Sequence, residues 1–502
     1  MGHKSLRAEP IILLLIGVWL RFHALVQDAR FHPDEALFAT FARNAAVQGD
    51  WLLHGSLDKT PLTIYADALA MTAFGVTTLP DGVLTLDIHR GEFAARVPGV
   101  FASILWMAVT CALAKSVYRR KPTVPLVALL LMAISPFALA FSATVFTDGL
   151  MILCVTLALW MGSRRRWFWA GLWLAAGLWC KQQALFYIPL VLVVGWIWRP
   201  TDGLRARVSI QDLFRLCAPL VIGITLLAVW DGARGQSTSL WALAVANNEP
   251  GRLELAQDFM GRLGAWLAYA QYMFGESWLT WGLLMLAVMI LVVRIKRERW
   301  ATNTQIDVIW LVYVFVYSLL HVSAFNLYDR YWLLILLPLL LLVAGGIDYA
   351  VQRAAKIRPT ILIFVTCALG ILMFPAAVMA VERQLPIGGD NGKYDGIDAL
   401  GAYLNSKPLG TIIYDHWLGW ELGYYIGTWS DKRRVYYPTP DALTADALLQ
   451  PDPAPRYMVI PIWVQDAEIW ITPLLEAGFE VITDHTFPNY VVVKLIPPDE
   501  AA

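Results

Sequence analysis

The feature that most constrains this chain is a series of apolar runs separated by short basic clusters. About eleven of them meet the length of roughly 17–25 residues that a membrane-spanning helix needs. They lie at approximately 10–26, 97–118, 123–142, 146–162, 167–181, 184–198, 215–233, 278–294, 306–324, 331–349 and 359–380. The fifth and sixth are short, so tilted or broken spans are expected there. Of the 502 residues, 58% are hydrophobic and only 16% charged. A soluble domain carries about 25% charged residues, so the chain reads as a polytopic α-helical membrane protein. The formal net charge of zero gives no electrostatic footprint for nucleic acid. Cys111, Cys154, Cys180, Cys217 and Cys367 fall in apolar stretches without a CxxC spacing, which argues against a disulfide framework or a zinc ribbon. No small-residue cleavage site follows the first run, which reads as a retained helix.

The charges give the topology an internal check. With the N-terminus in the cytoplasm, Lys115 to Lys121, Arg164 to Arg166, Arg199 to Arg207, Arg294 to Arg299 and Arg353 to Arg358 all fall on the cytoplasmic side. A miscount by one span would break that alternation. The other side then receives two long loops, 27–96 and 234–277, the short segment Asn326 to Tyr331, and everything after about Leu385. Within the first loop, 34–48 and 60–75 have interfacial-helix patterns, the second opening at Pro61. Charge and proline rise after Leu385. Thr411–Tyr414, Tyr457–Ile460 and Tyr490–Leu495 read as strands, and 395–405, 441–449 and 464–477 as helices. The expected organisation is a transmembrane domain over 1–384 and a small extracytoplasmic α/β domain over 385–502. No glycine-rich phosphate loop opens a helix of the latter, so no nucleotide is assigned to it.

Polar residues near the outer boundary are the candidates for chemistry. Asp34 and Glu35 follow the first span in His32-Pro33-Asp34-Glu35. They can cap the following helix, ligate a cation, or take a proton from a hydroxyl. Asp148 stands at the outer end of the fourth span, where an acid is costly unless it meets water or a partner. Lys59, Arg96, Lys181 and Arg330 place positive charge on the outer side, against the usual bias. An anionic ligand such as a lipid phosphate explains them, as does snorkelling to headgroups. His54 and His321 are candidate metal ligands or structural histidines. The 23 tryptophans read mainly as interfacial anchors.

Three segments in order carry a resemblance: Pro33-Asp34-Glu35 after the first span, Asp58-Lys59-Thr60-Pro61-Leu62, and Ala95-Arg96-Val97-Pro98 entering the second span. Together with Ser142 to Asp148, the glycine-rich stretch Gly171 to Gln183 and Tyr328-Asp329-Arg330-Tyr331, they resemble the polyprenyl-phosphate-sugar-dependent glycosyltransferases of the GT-C superfold. Within that superfold they look like the protein O-mannosyltransferases and the lipid A aminoarabinose transferases. The resemblance covers roughly residues 10–350. It departs from the family at Thr60-Pro61, where two prolines are usual.

The resemblance implies Asp34 as base or metal-site carboxylate, supported by Glu35, and Asp148 as a second carboxylate near the reacting centre. It implies Lys59, Arg96, Lys181, Tyr328 and Arg330 as donor-binding residues, with Asp34, Asp58 and His321 as candidate ligands of a divalent cation (Mg, Mn or Zn). No cofactor is fixed. The implied reaction moves a hexosyl or pentosyl group, with anomeric inversion, from a polyprenyl-phosphate carrier to a lipid, protein or glycan acceptor outside a bacterial inner membrane. A transporter or flippase is the alternative from another class, although no inverted repeat is visible and the acids lie near the boundary rather than at mid-membrane. A non-catalytic relative that only binds lipid-linked sugar is the other alternative.

Overall fold

The computed structural model describes residues 8–197, 208–248, 258–298, 300–353, 358–389, 391–449 and 454–498. The basic cluster Arg199 to Arg207, Arg299, the residues between Arg353 and Arg358, and 249–257 of the second long loop lie outside them. Contacts divide the chain into two compact units. One comprises residues 1–27, 52–66 and 96–389, the other 28–51, 67–95 and 390–502.

The first unit is helical: α1 (Ala8–Leu25), α2 (Pro33–Arg43) and α3 (Leu62–Phe74) precede α4 (Ile88–Val117), of which α2 and the ends of α3 and α4 belong to the second unit. Then follow α5 (Thr123–Ile134), α6 (Pro136–Ala140), α7 (Asp148–Ser163), α8 (Trp167–Cys180), α9 (Ile188–Ile197), α10 (Ile210–Ala233), α11 (Leu240–Asn248) and α12 (Phe259–Ala268). The last four are α13 (Ser277–Glu298), α14 (Thr302–Ala324), α15 (Leu333–Arg353) and α16 (Arg358–Val381). Among the described residues, seven helices are long and apolar enough to cross a membrane, and five shorter apolar helices accompany them. The protein is an integral membrane protein.

Most of the expected runs correspond to one helix each. The run over 123–142 does not, because Ser135 caps a new helix and Pro136 occupies its first turn. The fifth run is the single helix α8, which stops at Cys180; the sixth is broken, a 3₁₀ turn over Gln182–Tyr187 preceding α9. Helix α15 is the centre of this unit, buried from Leu333 to Tyr349 against α5, α13 and α14. Its leucine-rich sequence is apolar all round, as a helix enclosed by other helices requires. Helices α8 and α10 approach at Gly171, where a Cβ would run into the Leu216 carbonyl oxygen. Arg21 in α1 is fully buried and donates to the Met132 and Ala133 carbonyls at the end of α5 (3.0 and 3.1 Å) and to Ser103 (2.7 Å). This satisfies carbonyls that a helix end leaves unpaired.

The second unit is built on a five-stranded sheet in the order β4-β3-β5-β7-β6, made of β3 (Ile412–Asp415), β4 (Arg433–Tyr436), β5 (Arg456–Pro461), β6 (Glu480–Thr486) and β7 (Tyr490–Ile496). Strand β3 runs parallel to β4 and β5, and β7 antiparallel to β5 and β6. A hairpin of β1 (Val76–Thr78) and β2 (Leu84–Leu86) forms a separate two-stranded sheet. Helices α17 (Ile397–Asn405), α18 (Gly419–Tyr425), α19 (Pro440–Leu449) and α20 (Ala467–Glu476) complete the α/β layer. One face of the sheet buries Tyr414, Met458 and Leu495 against Leu443 of α19 and Trp470 and Leu474 of α20. Helix α2, from the first long loop, packs on α18 in this unit: Phe41 meets Trp420 at 5.5 Å, and Arg43 donates to the Tyr424 carbonyl at 2.6 Å.

Candidate functional site: a cation-lined cavity and an acidic helix start

In the first unit, the ends of α7 and α8 bring Asp148 and Lys181 together. Asp148 is the first residue of α7, where a carboxylate suits the positive end of the helix dipole. Lys181 follows α8 in extended conformation. Both side chains are almost wholly buried, and Lys181 Nζ donates to both carboxylate oxygens, at 2.7 and 2.8 Å. Arg330 Nε stands 4.0 Å from Asp148 Oδ2, and its guanidinium lies over the Tyr328 ring at 4.4 Å. Lys181 lies over the Tyr331 ring at 4.8 Å. The aromatic faces offset part of the desolvation of these cations.

Lys59 reaches the same cavity. It pairs with Asp58, whose carbonyl oxygen accepts from Gln182 Nε2 at 2.8 Å. A cavity of about 350 Å³ results, lined by Lys59, Lys181, Gln182, Trp241, Phe325 and Tyr331 among others. Its polar groups are concentrated on the two lysines and the two glutamines, Gln182 and Gln183, and its remaining wall is aromatic and aliphatic. Arg96 is buried in α4, three residues before Gly99, whose Cα lies so near the Thr144 carbonyl that a Cβ would stand 2.6 Å from that oxygen.

In the second unit, Asp34 and Glu35 form the first turn of α2. His32 Nδ1 accepts from the Asp34 amide at 3.2 Å, and Glu35 Oε2 accepts from the His32 amide at 3.1 Å, a reciprocal capping box. Glu35 is fully buried and Asp34 half-buried. Two further acids of this unit were not singled out from sequence. Asp67 in α3 is buried, its Oδ2 has no hydrogen-bond partner among the described residues, and burial together with the charge of Glu35 pushes its carboxyl well above the usual range. Glu421 in α18 is likewise buried. Burial first, opposed by a hydrogen bond from Tyr394 and reinforced by Asp415 and Asp34, raises it to about 8. Neither carries a sequence signal beyond a lone acid in an apolar context.

Two of the three candidate metal ligands have other partners. Asp58 pairs with Lys59. His321 is fully buried, with Nδ1 3.1 Å from the Tyr317 carbonyl and its ring stacked on Tyr317 and Trp266. Among the described residues, a three-ligand group of metal-binding type forms instead from Asp28, His89 and Glu92, whose ligand atoms lie within 4.8 Å of one another. There the Arg30 guanidinium already meets His89 Nδ1 at 2.7 Å and Glu92 Oε2 at 2.8 Å. A resident cation in that position offsets the charge that would otherwise favour a metal.

The chain has the GT-C membrane fold. Residues 83–210, which include Arg96, Asp148 and Lys181, match the family described as dolichyl-phosphate-mannose-protein mannosyltransferase. The chain is similar in structure to ArnT from Cupriavidus metallidurans bound to undecaprenyl phosphate, at a TM-score of 0.61 and 12% identity over 96% of this chain and 97% of that one. It is also similar to the oligosaccharyltransferase of Archaeoglobus fulgidus. The complex of that enzyme with Zn and sulfate gives a TM-score of 0.55 and 12% identity over 96% and 72% of the two chains. Its complex with an inhibitory peptide and a dolichol-phosphate gives 0.54 and 12% over 95% and 72%. A search of curated proteins by sequence finds no match.

Proposed function

We propose that the protein transfers a sugar from a polyprenyl-phosphate carrier to an acceptor hydroxyl on the extracytoplasmic face of a bacterial inner membrane, with its N-terminus in the cytoplasm. The observation that carries this reading is the cavity that joins two lysines to an apolar aromatic wall. Lysine ammonium groups suit a phosphate, and the apolar wall suits the first isoprene units of the carrier. Lys59, Lys181 and Arg330 outnumber Asp58 and Asp148 in these ion pairs, which leaves net positive charge for an anion. A phosphodiester carries one negative charge. The lipid phosphates bound in the ArnT and archaeal structures support the same chemistry.

In this reading Lys59 and Lys181 hold the phosphate, Asp148 orients Lys181, and Arg330, Arg96 and Tyr328 complete the donor site. Asp34 takes the proton of the acceptor hydroxyl, and Glu35 fixes the helix turn that presents it. The acceptor oxygen bonds to the anomeric carbon as the bond from that carbon to the phosphate oxygen breaks. Polyprenyl phosphate leaves with its electron pair, and the anomeric centre inverts. A divalent cation would supply further charge neutralisation, and no step above depends on it.

Binding tests the cavity directly. Purified protein in nanodiscs is titrated with undecaprenyl phosphate while tryptophan fluorescence is recorded, Trp241 being part of the wall. Lys59→Ala and Lys181→Ala should each weaken binding by roughly tenfold or more, as expected for loss of a charge-assisted hydrogen bond. Binding unchanged in both folded variants overturns the reading.

A further inference from the structure

Arg234 does not line the cavity, yet its side chain is completely buried. It follows the last turn of α10. Its Nη2 donates to the carbonyls of Leu53 (2.9 Å) and Gly55 (2.7 Å), and Nε adds a longer bond to Leu53 (3.3 Å). Its Nη1 donates to Asp231 Oδ1 at 3.3 Å. Asp231 in turn accepts the amide of Leu240 on both oxygens, at 3.2 and 3.0 Å. Leu240 is the first residue of α11, the helix that contributes Trp241 and Val245 to the cavity wall.

The segment that Arg234 grips departs from ordinary backbone geometry. Leu53 has φ +53°, a left-handed conformation that a branched side chain disfavours, and Gly55 has φ +124°. Such a backbone persists when its surroundings over-determine it. Four residues beyond Gly55 stands Lys59, and between them the Asp58 carbonyl is held by Gln182. The loop is thus fixed at both ends, by Arg234 at 53–55 and by the neighbour of Lys181 at 58.

We infer that Arg234 and Asp231 are positioning residues of the donor site: one buried ion pair sets the Lys59 loop and the start of α11, so the cationic and apolar walls of the cavity are placed together. This rests on the reading of the cavity as the polyprenyl-phosphate site. The role calls for arginine. A guanidinium can bond two carbonyls and a carboxylate at once in a fixed plane, whereas a lysine ammonium lacks that fork. Asp231 likewise serves through both oxygens, which an amide in its place cannot do as an acceptor pair.

The test uses the full chain in nanodiscs, with undecaprenyl phosphate as the probe. Arg234→Lys and Asp231→Asn are each combined with Lys59→Ala. Each single change should raise the dissociation constant roughly tenfold or more, in line with the effect of misplacing a binding group by about an ångström. In the Lys59→Ala background, Arg234→Lys should cost far less, because its effect is exerted through Lys59. Asp231→Asn, which also loosens α11, should keep part of its effect. A general structural defect would lower affinity by the same factor in both backgrounds, and that result overturns the inference, as does unchanged affinity in both single variants. If Lys59→Ala alone binds the lipid as the wild type does, the reading of the cavity fails, a result separable from failure of the Arg234 role. Asp231→Asn keeps the test decisive should Arg234→Lys fail to fold.

Discussion

Lys181 Nζ sits between the two carboxylate oxygens of Asp148, 2.7 and 2.8 Å away, with both side chains closed off from solvent. Breaking such a pair on one side leaves an uncompensated buried charge, which costs about 3–5 kcal/mol. Asp148→Ala should therefore lower the thermal stability of the detergent-solubilised protein markedly. The double variant Asp148→Leu, Lys181→Met should recover part of that stability, because the two charges are removed together. It should not recover lipid-phosphate binding. Recovery of both properties in the double variant would show that the pair serves packing alone.

Glu421 makes the second unit sensitive to pH. Its carboxyl ordinarily titrates at 4.5 and is raised to about 8 in the folded protein by burial, with Asp415 and Asp34 adding to the shift. A group that binds its proton more tightly when folded contributes stability below its unfolded value, and that contribution is lost as pH rises. The window is about 4.5 to 8, and the full effect is at most about 5 kcal/mol. Glu421→Gln keeps the shape and removes the titration. Thermal melts at pH 5 and pH 8.5 should show a fall for the wild type across this interval and a smaller fall for Glu421→Gln. Equal falls would exclude Glu421 as the source.

Helix α8 depends on the absence of a side chain at Gly171. A methyl group there meets the Leu216 carbonyl of α10, a backbone atom that cannot rotate away. Gly171→Ala should destabilise the protein by about 1–3 kcal/mol, the usual range for overpacking. The same change at Gly149, which has open space, should have little effect on packing. Comparing the two melting temperatures separates close approach from helix propensity.

The spans were legible because apolar length is a strong signal. The break at Ser135-Pro136 was written in the sequence as an N-cap followed by a first-turn proline, but the apolar run on both sides hid it. Strands β3, β5 and β7 are buried and rich in Ile, Val and Tyr, so they stood out. Strand β4, Arg433-Arg434-Val435-Tyr436, is an exposed edge and carries charges instead of an apolar pattern. Strand β6 alternates with acids and a histidine and was missed for the same reason.

At the candidate site, Lys59, Asp148, Lys181 and Arg330 could be singled out because charge is rare in such a chain. Their meeting could not be derived from spacing, since 33 residues separate Asp148 from Lys181 and the contact depends on how α7 and α8 pack. Asp67 and Glu421 gave no signal because burial, which shifts them, is a property of the fold. Arg234 was equally hidden, since its partners are backbone carbonyls 179 and 181 residues away.

The central claim is sugar transfer from a polyprenyl-phosphate donor with Asp34 as the base. Its most direct test supplies purified protein in nanodiscs with a panel of radiolabelled polyprenyl-phosphate sugars and a membrane extract as the acceptor source. The wild type should move label from one donor to an acceptor. Asp34→Asn, which keeps the shape of the α2 first turn, should bind undecaprenyl phosphate normally and lower transfer by about 100-fold or more, as expected for loss of a general base. Full transfer by a folded Asp34→Asn protein would contradict the account.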